Sequence, residues 1–168
     1  MSRITFKNDP IETSGTLPET GSTCPNVSLT KTDLSQTDLS EYRGKRVILN
    51  IFPSIDTGIC AKSTREFNKK ASEMDNAVVV CVSKDLPFAH SRFCEAEGLK
   101  DVVCTSSYKD SSFENGFNVT MKNGPLAGLF SRAIVVLDEE GKVSYSEQVP
   151  EIVQEPDYEK ALAILDPA

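Results

Sequence analysis

The sequence of 168 residues has no tryptophan, a single histidine and no long hydrophobic run. No segment approaches the roughly 20 consecutive apolar residues that a membrane-spanning helix needs. The first 15 residues contain neither a continuous apolar stretch nor a small-residue cleavage site, and so they predict no secretory signal. We therefore expect a soluble, cytoplasmic protein that does not bind membranes.

Basic residues are fewer than acidic ones, 18 against 25, so the formal net charge is −7 and the pI is near 4.8. A chain of this charge, with no stripe of Lys and Arg, would repel a phosphate backbone. No two cysteines lie closer than ten positions, which excludes the common structural zinc patterns. The sequence has no GxGxxG, and "RGKR" at 43–46 lacks the Gly and Ser/Thr of a phosphate loop. We expect neither nucleic acid, metal nor nucleotide cofactor.

The middle of the chain alternates between apolar runs and helical patterns. "RVILNIF" and "AVVVCVS" are typical of buried strands. A helix over residues 60 to about 73 separates them, and a second helix follows, with Asp85 as a candidate N-cap, Pro87 in its first turn and Gly98 as its end. Right-handed crossovers make the strands of such a βαβα unit parallel. The predicted fold class is α/β with three layers.

The two ends of the chain add smaller elements. Residues 1–16 predict a β-hairpin that turns at "NDP" and places Ile4 and Phe6 on one face. "DVVCTS" predicts a third strand, "DSSFENGF" a short helix capped by Asp110, and "SRAIVVLDEEGKVSYSEQV" a second hairpin. A helix closes the chain, with three side chains inward: Tyr158, Ala161 and Leu165. We find no linker or repeat and predict one domain over 1–168.

Five cysteines without a secretion signal predict thiols that are either buried or chemically employed. Cys60 falls in the first turn of a predicted helix, where unpaired N–H groups and the helix dipole favour a thiolate. Thr57 can offer a hydroxyl donor to the sulfur or its substrate, and Pro53 can shield the sulfur from water. A lone cysteine beside a helix start is more often an inert small hydrophobe. The arrangement nevertheless suits a small substrate that is attacked by sulfur.

"PSIDTGIC" at 53–60 contains PxxxTxxC, which resembles the active-site signature of peroxiredoxins. Three further blocks, "DLPFAHSRFCEAEGL", "GPLAGLFSRAIVVLD" and "EPDYEKALAIL", occur in the matching order. Together the four blocks resemble the thiol peroxidase branch, the atypical two-cysteine peroxiredoxins, over essentially the whole chain. The resemblance implies a thioredoxin-like fold, in which helices flank a central mixed sheet and the N-terminal hairpin is an addition.

The resemblance also implies a role for each site residue. Cys60 would be the peroxidatic cysteine, in a pocket shaped by Thr57 and Pro53 and completed by Arg132. It would reduce hydrogen peroxide or alkyl hydroperoxides and become a sulfenic acid. Cys94 would resolve this acid as an intrachain disulfide, which a thioredoxin-type protein then reduces. The resemblance further implies a homodimer.

A disulfide needs Cα atoms within about 7 Å, and cysteines on separate intact helices are poorly placed for that. We therefore predict local unwinding around Cys60, Cys94 or both during turnover. Cys81 and Cys104 are predicted to be core residues. Cys24 precedes a proline in a polar loop, and we predict that it is exposed and open to adventitious oxidation.

Other residues have open or unremarkable assignments. His90 is predicted to face solvent. Ile59, Leu126 and Phe130 could line either a dimer contact or a groove for organic peroxides. A thiol-disulfide oxidoreductase would carry a second cysteine where Ser63 stands. A non-enzymatic binding protein of the same ancestry would be expected to lack one of the four residues Pro53, Thr57, Cys60 and Arg132, and all four are present.

Overall fold

The computed structural model describes residues 3–163 of the chain. Its strands are β1 Arg3–Phe6, β2 Asp9–Glu12, β3 Ser28–Lys31, β4 Gln36–Asp38, β5 Arg46–Ile51, β6 Ala77–Ser83, β7 Val102–Ser106, β8 Ala133–Leu137 and β9 Val143–Gln148. Its helices are α1 Gly58–Ala71, α2 Pro87–Glu97, α3 Ser112–Phe117 and α4 Tyr158–Ala163, and a 3-10 turn covers Leu39–Tyr42. Among these residues, no helix is both long and apolar enough to cross a membrane.

Seven of the strands form one mixed sheet in the order β4-β3-β7-β6-β5-β8-β9. Strands β5, β6 and β7 are parallel to one another, whereas β8 pairs with β5 in the antiparallel sense. The predicted βαβα unit is therefore confirmed. Its parallel strands all end at one edge of the sheet, and the helices α1 and α2 begin beyond that edge.

Side chains alternate between the two faces of the sheet, as the period of two in a strand requires. One face carries Val79 and Cys81, which pack with side chains of α1, α2 and α4. The other face carries Val80 and Val82, which pack with the phenylalanines of α3. Helices thus cover both faces, and the predicted three layers are confirmed.

The N-terminal hairpin is confirmed, but its predicted turn is wrong. Lys7 and Asn8 form the turn, with φ of 50° and 73°, so that β2 already begins at Asp9. Pro10 lies in this strand opposite Thr5. In a two-residue hairpin this second pair exchanges no hydrogen bonds, and the missing N–H of Pro10 therefore costs nothing. Thr5 donates its N–H outward instead, to the Pro150 carbonyl.

The ends of α2 and α3 agree in part with those that the sequence predicts. Gly98 closes α2 with a φ of 65°, as predicted, because glycine adopts this left-handed conformation without strain. Asp85 is not the N-cap of α2, since Leu86 occupies that position and the Asp85 carboxylate bonds elsewhere. Asp110 does accept the N–H of Ser112 at 2.7 Å, although the residue at the N-cap position is Ser111.

The C-terminal helix α4 is confirmed within the described residues. Ala161 is buried, and Tyr158 packs edge-on against Phe67 of α1, with ring centroids 5.1 Å apart. The third residue predicted to face inward, Leu165, lies outside the described residues. Helix α4 therefore covers the same face of the sheet as α1.

Candidate active site at the carboxyl edge of the sheet

Two parts of the chain meet at the carboxyl end of β5. Ile51, the last residue of β5, pairs with Ala133, the first residue of β8. Residues 52–57 leave β5 and lead into α1, while Arg132 directly precedes β8. The strand register therefore brings Arg132 beside the start of the loop that leads to Cys60.

Cys60 is the third residue of α1, and its side chain is fully buried, with 0% exposed. It packs in the same cluster as Phe52, Ile55 and Phe67, so the sulfur lies in an apolar surrounding. The first N–H groups of a helix lack carbonyl partners within that helix. The surrounding side chains exclude water, while the start of the helix offers donors and a positive dipole to a thiolate.

The loop before Cys60 is held by hydrogen bonds of its own. Pro53 is buried, and Thr57 is the N-cap residue of α1, with an exposed side chain. The Thr57 hydroxyl donates to the Ser54 carbonyl at 2.9 Å, the same carbonyl that accepts the Thr57 N–H at 3.2 Å. The expected donation to the sulfur or its substrate is thus not present here. A rotation about χ1 would be needed to redirect the proton.

Arg132 is almost fully buried, with 2% of its surface exposed, and so it is not a solvent-facing arginine at a strand edge. Its Nε donates to the Ile152 carbonyl at 2.9 Å. Its Nη1 is buried and has no hydrogen-bond partner among residues 3–163. A buried donor on a cation is costly to leave unpaired. The guanidinium therefore offers a preformed position for an anion at this edge of the sheet.

Asp85 lies at the site and holds the loop before Cys60, whereas the sequence predicts that it caps α2. Its carboxylate accepts hydrogen bonds from the Ser54 hydroxyl at 2.7 Å, the Ile55 N–H at 2.8 Å and the Ser83 hydroxyl at 2.6 Å. These bonds tie the loop before Cys60 to the end of β6. The signal in the sequence was a carboxylate directly after a buried parallel strand, where loops that carry active-site residues meet.

His90 is fully buried, and the prediction that it faces solvent is wrong. Its Nε2 lies 2.9 Å from the Ser83 hydroxyl, and its ring meets Phe52 edge-on at 6.2 Å between centroids. Ser83 gives its own proton to Asp85, so His90 is the donor in the bond to Ser83. The single histidine thus extends the hydrogen bonds that hold the loop and does not contact solvent.

Cys94 lies on α2, half-buried, and it contacts another cysteine. Its Sγ is 3.0 Å from the Sγ of Cys104 in β7, and all five cysteines are free thiols. The hydrogen bond from Cys104 lowers the pKa of Cys94, against the opposing effect of burial. Cys94 comes seven residues after the start of α2, which places it about 10 Å along the helix from that start. Cys60, in contrast, lies in the first turn of α1.

Comparisons with known proteins agree with this geometry. The sequence profile of the Redoxin family matches residues 19–162. The thiol peroxidases of Mycobacterium tuberculosis and Mycobacterium bovis are each 51% identical to this chain over 165 residues, which is 98% of this chain and 99% of each relative. The chain belongs to the thiol peroxidases of the redoxin family. It is an enzyme that reduces peroxide by thiol chemistry, and the interpretation as a binding protein is set aside.

Solved structures confirm the thioredoxin-like fold of this thiol peroxidase. A peroxiredoxin-like protein from Aquifex aeolicus superposes with a TM-score of 0.91 at 30% identity, over 96% of this chain and 95% of the other. The thiol peroxidase from Chromobacterium violaceum superposes with a TM-score of 0.89, over 97% and 94% of the two chains. Its identity of 19% shows a shared fold only.

Two expectations about the remaining side chains of the peroxidase are wrong. Cys24 is buried, not exposed, and burial raises its pKa to about 12, against a smaller opposing effect of Arg43. A thiol of that kind is inert. Phe130 is fully buried against Phe113 and lines no surface groove, whereas Ile59 and Leu126 are half-buried. The burial of Cys81 and Cys104 is confirmed.

Replacing Asp85 with asparagine is expected to loosen the loop before Cys60. One of the two carboxylate oxygens becomes an amide NH2 group, which is a donor and is placed against groups that also donate. Loss of one of these hydrogen bonds lowers the free energy of unfolding by about 1–3 kcal/mol. We expect kcat/KM for peroxide to fall roughly tenfold, because the sulfur is less well positioned. Thermal denaturation and peroxide kinetics of Asp85→Asn measure the two effects.

The matched control for this change is Asp33→Asn. Asp33 accepts two hydrogen bonds from Ser35 in the exposed turn between β3 and β4, away from the site. We expect this control to keep the wild-type kcat/KM. If Asp85→Asn also keeps wild-type activity and stability, the carboxylate does not hold the loop.

The free energy of unfolding is expected to depend on pH through His90. Burial lowers the pKa of His90, and the carboxylates of Asp85 and Asp56 oppose this only in part. Unfolded histidine titrates near 6.5, so on acidification the unfolded chain takes up this proton first. The contribution of neutral, buried His90 to the free energy of unfolding is thus complete above pH 6.5. It declines as the pH falls towards the lower pKa of His90 in the folded state, by at most about 1.4 kcal/mol per pH unit.

Denaturant unfolding of wild-type protein and His90→Gln between pH 7.5 and 5 measures this effect. The variant is expected to lose less stability on acidification, and the comparison uses the slope against pH, which a constant change in packing does not alter. Equal slopes for the two proteins would show that His90 is not neutral and buried in solution.

Proposed function

We propose that the enzyme reduces hydrogen peroxide and alkyl hydroperoxides through a sulfenic acid on Cys60, which Cys94 resolves as an intrachain disulfide. One observation supports this most strongly. Cys60 lies buried in the first turn of α1, at the sheet edge where the Nη1 of Arg132 is buried and has no partner in the described part of the chain. A nucleophilic sulfur and a cation for a developing anion thus occupy neighbouring parts of the fold.

In the first step the Cys60 thiolate attacks one peroxide oxygen, and the O–O bond breaks. The departing oxygen takes the electron pair and is protonated to water or an alcohol. The guanidinium of Arg132 stabilises this oxygen most where its charge develops, in the transition state. The buried Pro53 keeps water from the sulfur, and Thr57 fixes the entry to α1 through its bonds to Ser54.

In the second step Cys94 condenses with the sulfenic acid, and water leaves as the disulfide forms. While α2 is closed, the hydrogen bond from Cys104 lowers the pKa of Cys94 and favours its thiolate before the helix opens. The two cysteines lie on separate helices, and we propose that α2 opens locally. This is one of the alternatives that the sequence predicts, namely unwinding around Cys60, Cys94 or both. Opening breaks the ion pair of Arg92 with Asp56 at 2.7 Å, which is exposed and therefore weak in water.

In the third step a thioredoxin-type protein reduces the disulfide and restores both thiols. An unwound α2 would present Cys94 to such a partner. The resemblance to two-cysteine peroxiredoxins supports this reductant, a homodimer and a cytoplasmic location, where protein dithiols are kept reduced. Ile59 remains a candidate for the dimer contact, since it is only half-buried beside Cys60.

Replacing Cys94 with serine tests the resolving step. The first turnover with peroxide is expected to proceed at the wild-type rate, because Cys60 and its surroundings are unchanged. Sulfenic acid then accumulates on Cys60, and sustained turnover with a thioredoxin-type dithiol falls by at least about tenfold. Dimedone labelling with mass spectrometry detects the acid, and coupled peroxide consumption measures turnover.

The control is Cys24→Ser, which removes a buried thiol from the other face of the sheet. It is expected to show neither the stalled acid nor the loss of turnover. Wild-type turnover in Cys94→Ser, without sulfenic acid, would mean that another thiol resolves Cys60.

A further inference from the structure

Cys104 lies in the middle of β7, and the cycle described above does not use it. Its side chain is 4% exposed, and its Sγ is 3.0 Å from that of Cys94. Cys81 is its direct neighbour across the pair β6–β7. Four of the five cysteines, including Cys60, therefore share one face of the sheet. The contact between Cys94 and Cys104 exists with α2 and β7 both intact.

We propose that Cys104 is a third redox-active cysteine, which replaces Cys60 as the disulfide partner of Cys94; this inference rests on the proposed function. In this exchange the Cys104 sulfur attacks the Cys94 sulfur of the Cys60–Cys94 disulfide. A bond between Cys94 and Cys104 forms, the bond between Cys60 and Cys94 breaks, and the electron pair leaves on Cys60. Cys104 gives up its proton to water, and Cys60 leaves as a thiolate, so atoms and charge balance.

No oxidant beyond the first peroxide is needed, because exchange moves a disulfide without creating one. Cys60 returns to its reduced form in the first turn of α1. A second peroxide can then oxidise it to a sulfenic acid before any reductant arrives. The chain thus holds two oxidising equivalents where the simple cycle holds one.

The fold favours this direction of exchange. A Cys60–Cys94 disulfide keeps α2 locally open, whereas a Cys94–Cys104 disulfide lets the helix close, since the two sulfurs already meet in the closed form. The start of α1 stabilises Cys60 as the departing thiolate. Hydrogen bonds to Cys81 and Cys94, and then burial, raise the pKa of Cys104. We therefore expect the exchange to be slower than resolution of the sulfenic acid.

Stepwise peroxide titration of the fully reduced protein tests the proposal. One equivalent is added and the protein is incubated; a second equivalent follows together with dimedone. Wild-type protein is expected to consume two equivalents, and Cys104→Ser and Cys104→Ala one. Two variants are used so that a folding defect in one of them does not decide the result. Cys24→Ser is the matched control and is expected to consume two.

Tryptic mapping without reduction identifies the bonds, because cleavage after Lys and Arg separates the cysteines. Cys60 falls in peptide 47–62, Cys81 in 71–84, Cys94 in 93–100 and Cys104 in 101–109. We expect peptide 93–100 linked to 101–109 and dimedone on 47–62. The intact mass before digestion shows that one chain carries both the disulfide and the dimedone. We expect no such link in Cys60→Ser.

Three results would overturn the proposal. In the first, wild type and the Cys104 variants alike consume one equivalent, and Cys60 is linked to Cys94. The proposed function would then hold, and Cys104 would be a core residue only. A Cys94–Cys104 link in Cys60→Ser would mean direct oxidation in place of exchange. No rapid peroxide loss and no link to Cys60 would contradict the proposed function itself.

Discussion

Cys60→Ser is expected to lower the rate constant for peroxide reduction by more than about 1,000-fold, the scale on which loss of a covalent nucleophile acts. Serine keeps the volume of the side chain in its fully buried position, so the fold should survive. A serine hydroxyl, however, is not ionised at neutral pH and does not attack the O–O bond. Stopped-flow measurement of peroxide loss under excess protein gives the rate constant directly.

The control variant for this prediction is Cys81→Ser. Cys81 packs on the same face of the sheet as Cys60 but lies outside the site. Its rate constant is expected to stay within a few-fold of wild type. Comparable rates in Cys60→Ser and wild type would mean that another group attacks peroxide and that the PxxxTxxC loop is a relic.

Arg132→Met is expected to lower kcat/KM for peroxide by about 100- to 1,000-fold, the usual effect of removing one preorganised donor from a developing anion. Methionine fills much of the same volume but removes the charge and the unpartnered Nη1. Arg132→Lys keeps a charge without the planar fork and should fall between Met and wild type. Single-turnover kinetics at several peroxide concentrations separates binding from the chemical step.

Stability must be measured beside activity, because Arg132 also donates Nε to the Ile152 carbonyl at 2.9 Å. Loss of this bond leaves a carbonyl unpaired in both variants, so both should melt lower by a similar amount. A folded Arg132→Met enzyme with wild-type kcat/KM would show that the guanidinium has a structural role alone.

Much of the fold follows from local patterns in the sequence. The apolar runs of β5 and β6, the helix that separates them and the end of α2 at Gly98 are confirmed. Each depends on residues close in the chain: continuous burial in a parallel strand, helical spacing, and the left-handed conformation of a glycine. The PxxxTxxC loop was found for the same reason, since its residues are contiguous.

Apart from the turn of the N-terminal hairpin, which lies at Lys7 and Asn8, the errors concern contacts between segments far apart in the chain. Asp85 would be a good N-cap locally, but Ser54 and Ile55 supply donors that only the fold brings to it. The burial of His90 depends on α2 packing over Ser83, and that of Phe130 on α3. Such neighbours cannot be predicted from the local sequence, because the packing of whole helices and strands determines which residues meet.

Rapid-quench peptide mapping of the first turnover tests the central claim most directly. Fully reduced protein is mixed with one equivalent of peroxide, quenched with acid and an alkylating agent, and digested without reduction. We expect rapid peroxide loss, and we expect peptide 47–62, which contains Cys60, to be linked first to peptide 93–100, which contains Cys94. Peroxide loss no faster than in Cys60→Ser, with all five thiols alkylated, would contradict it.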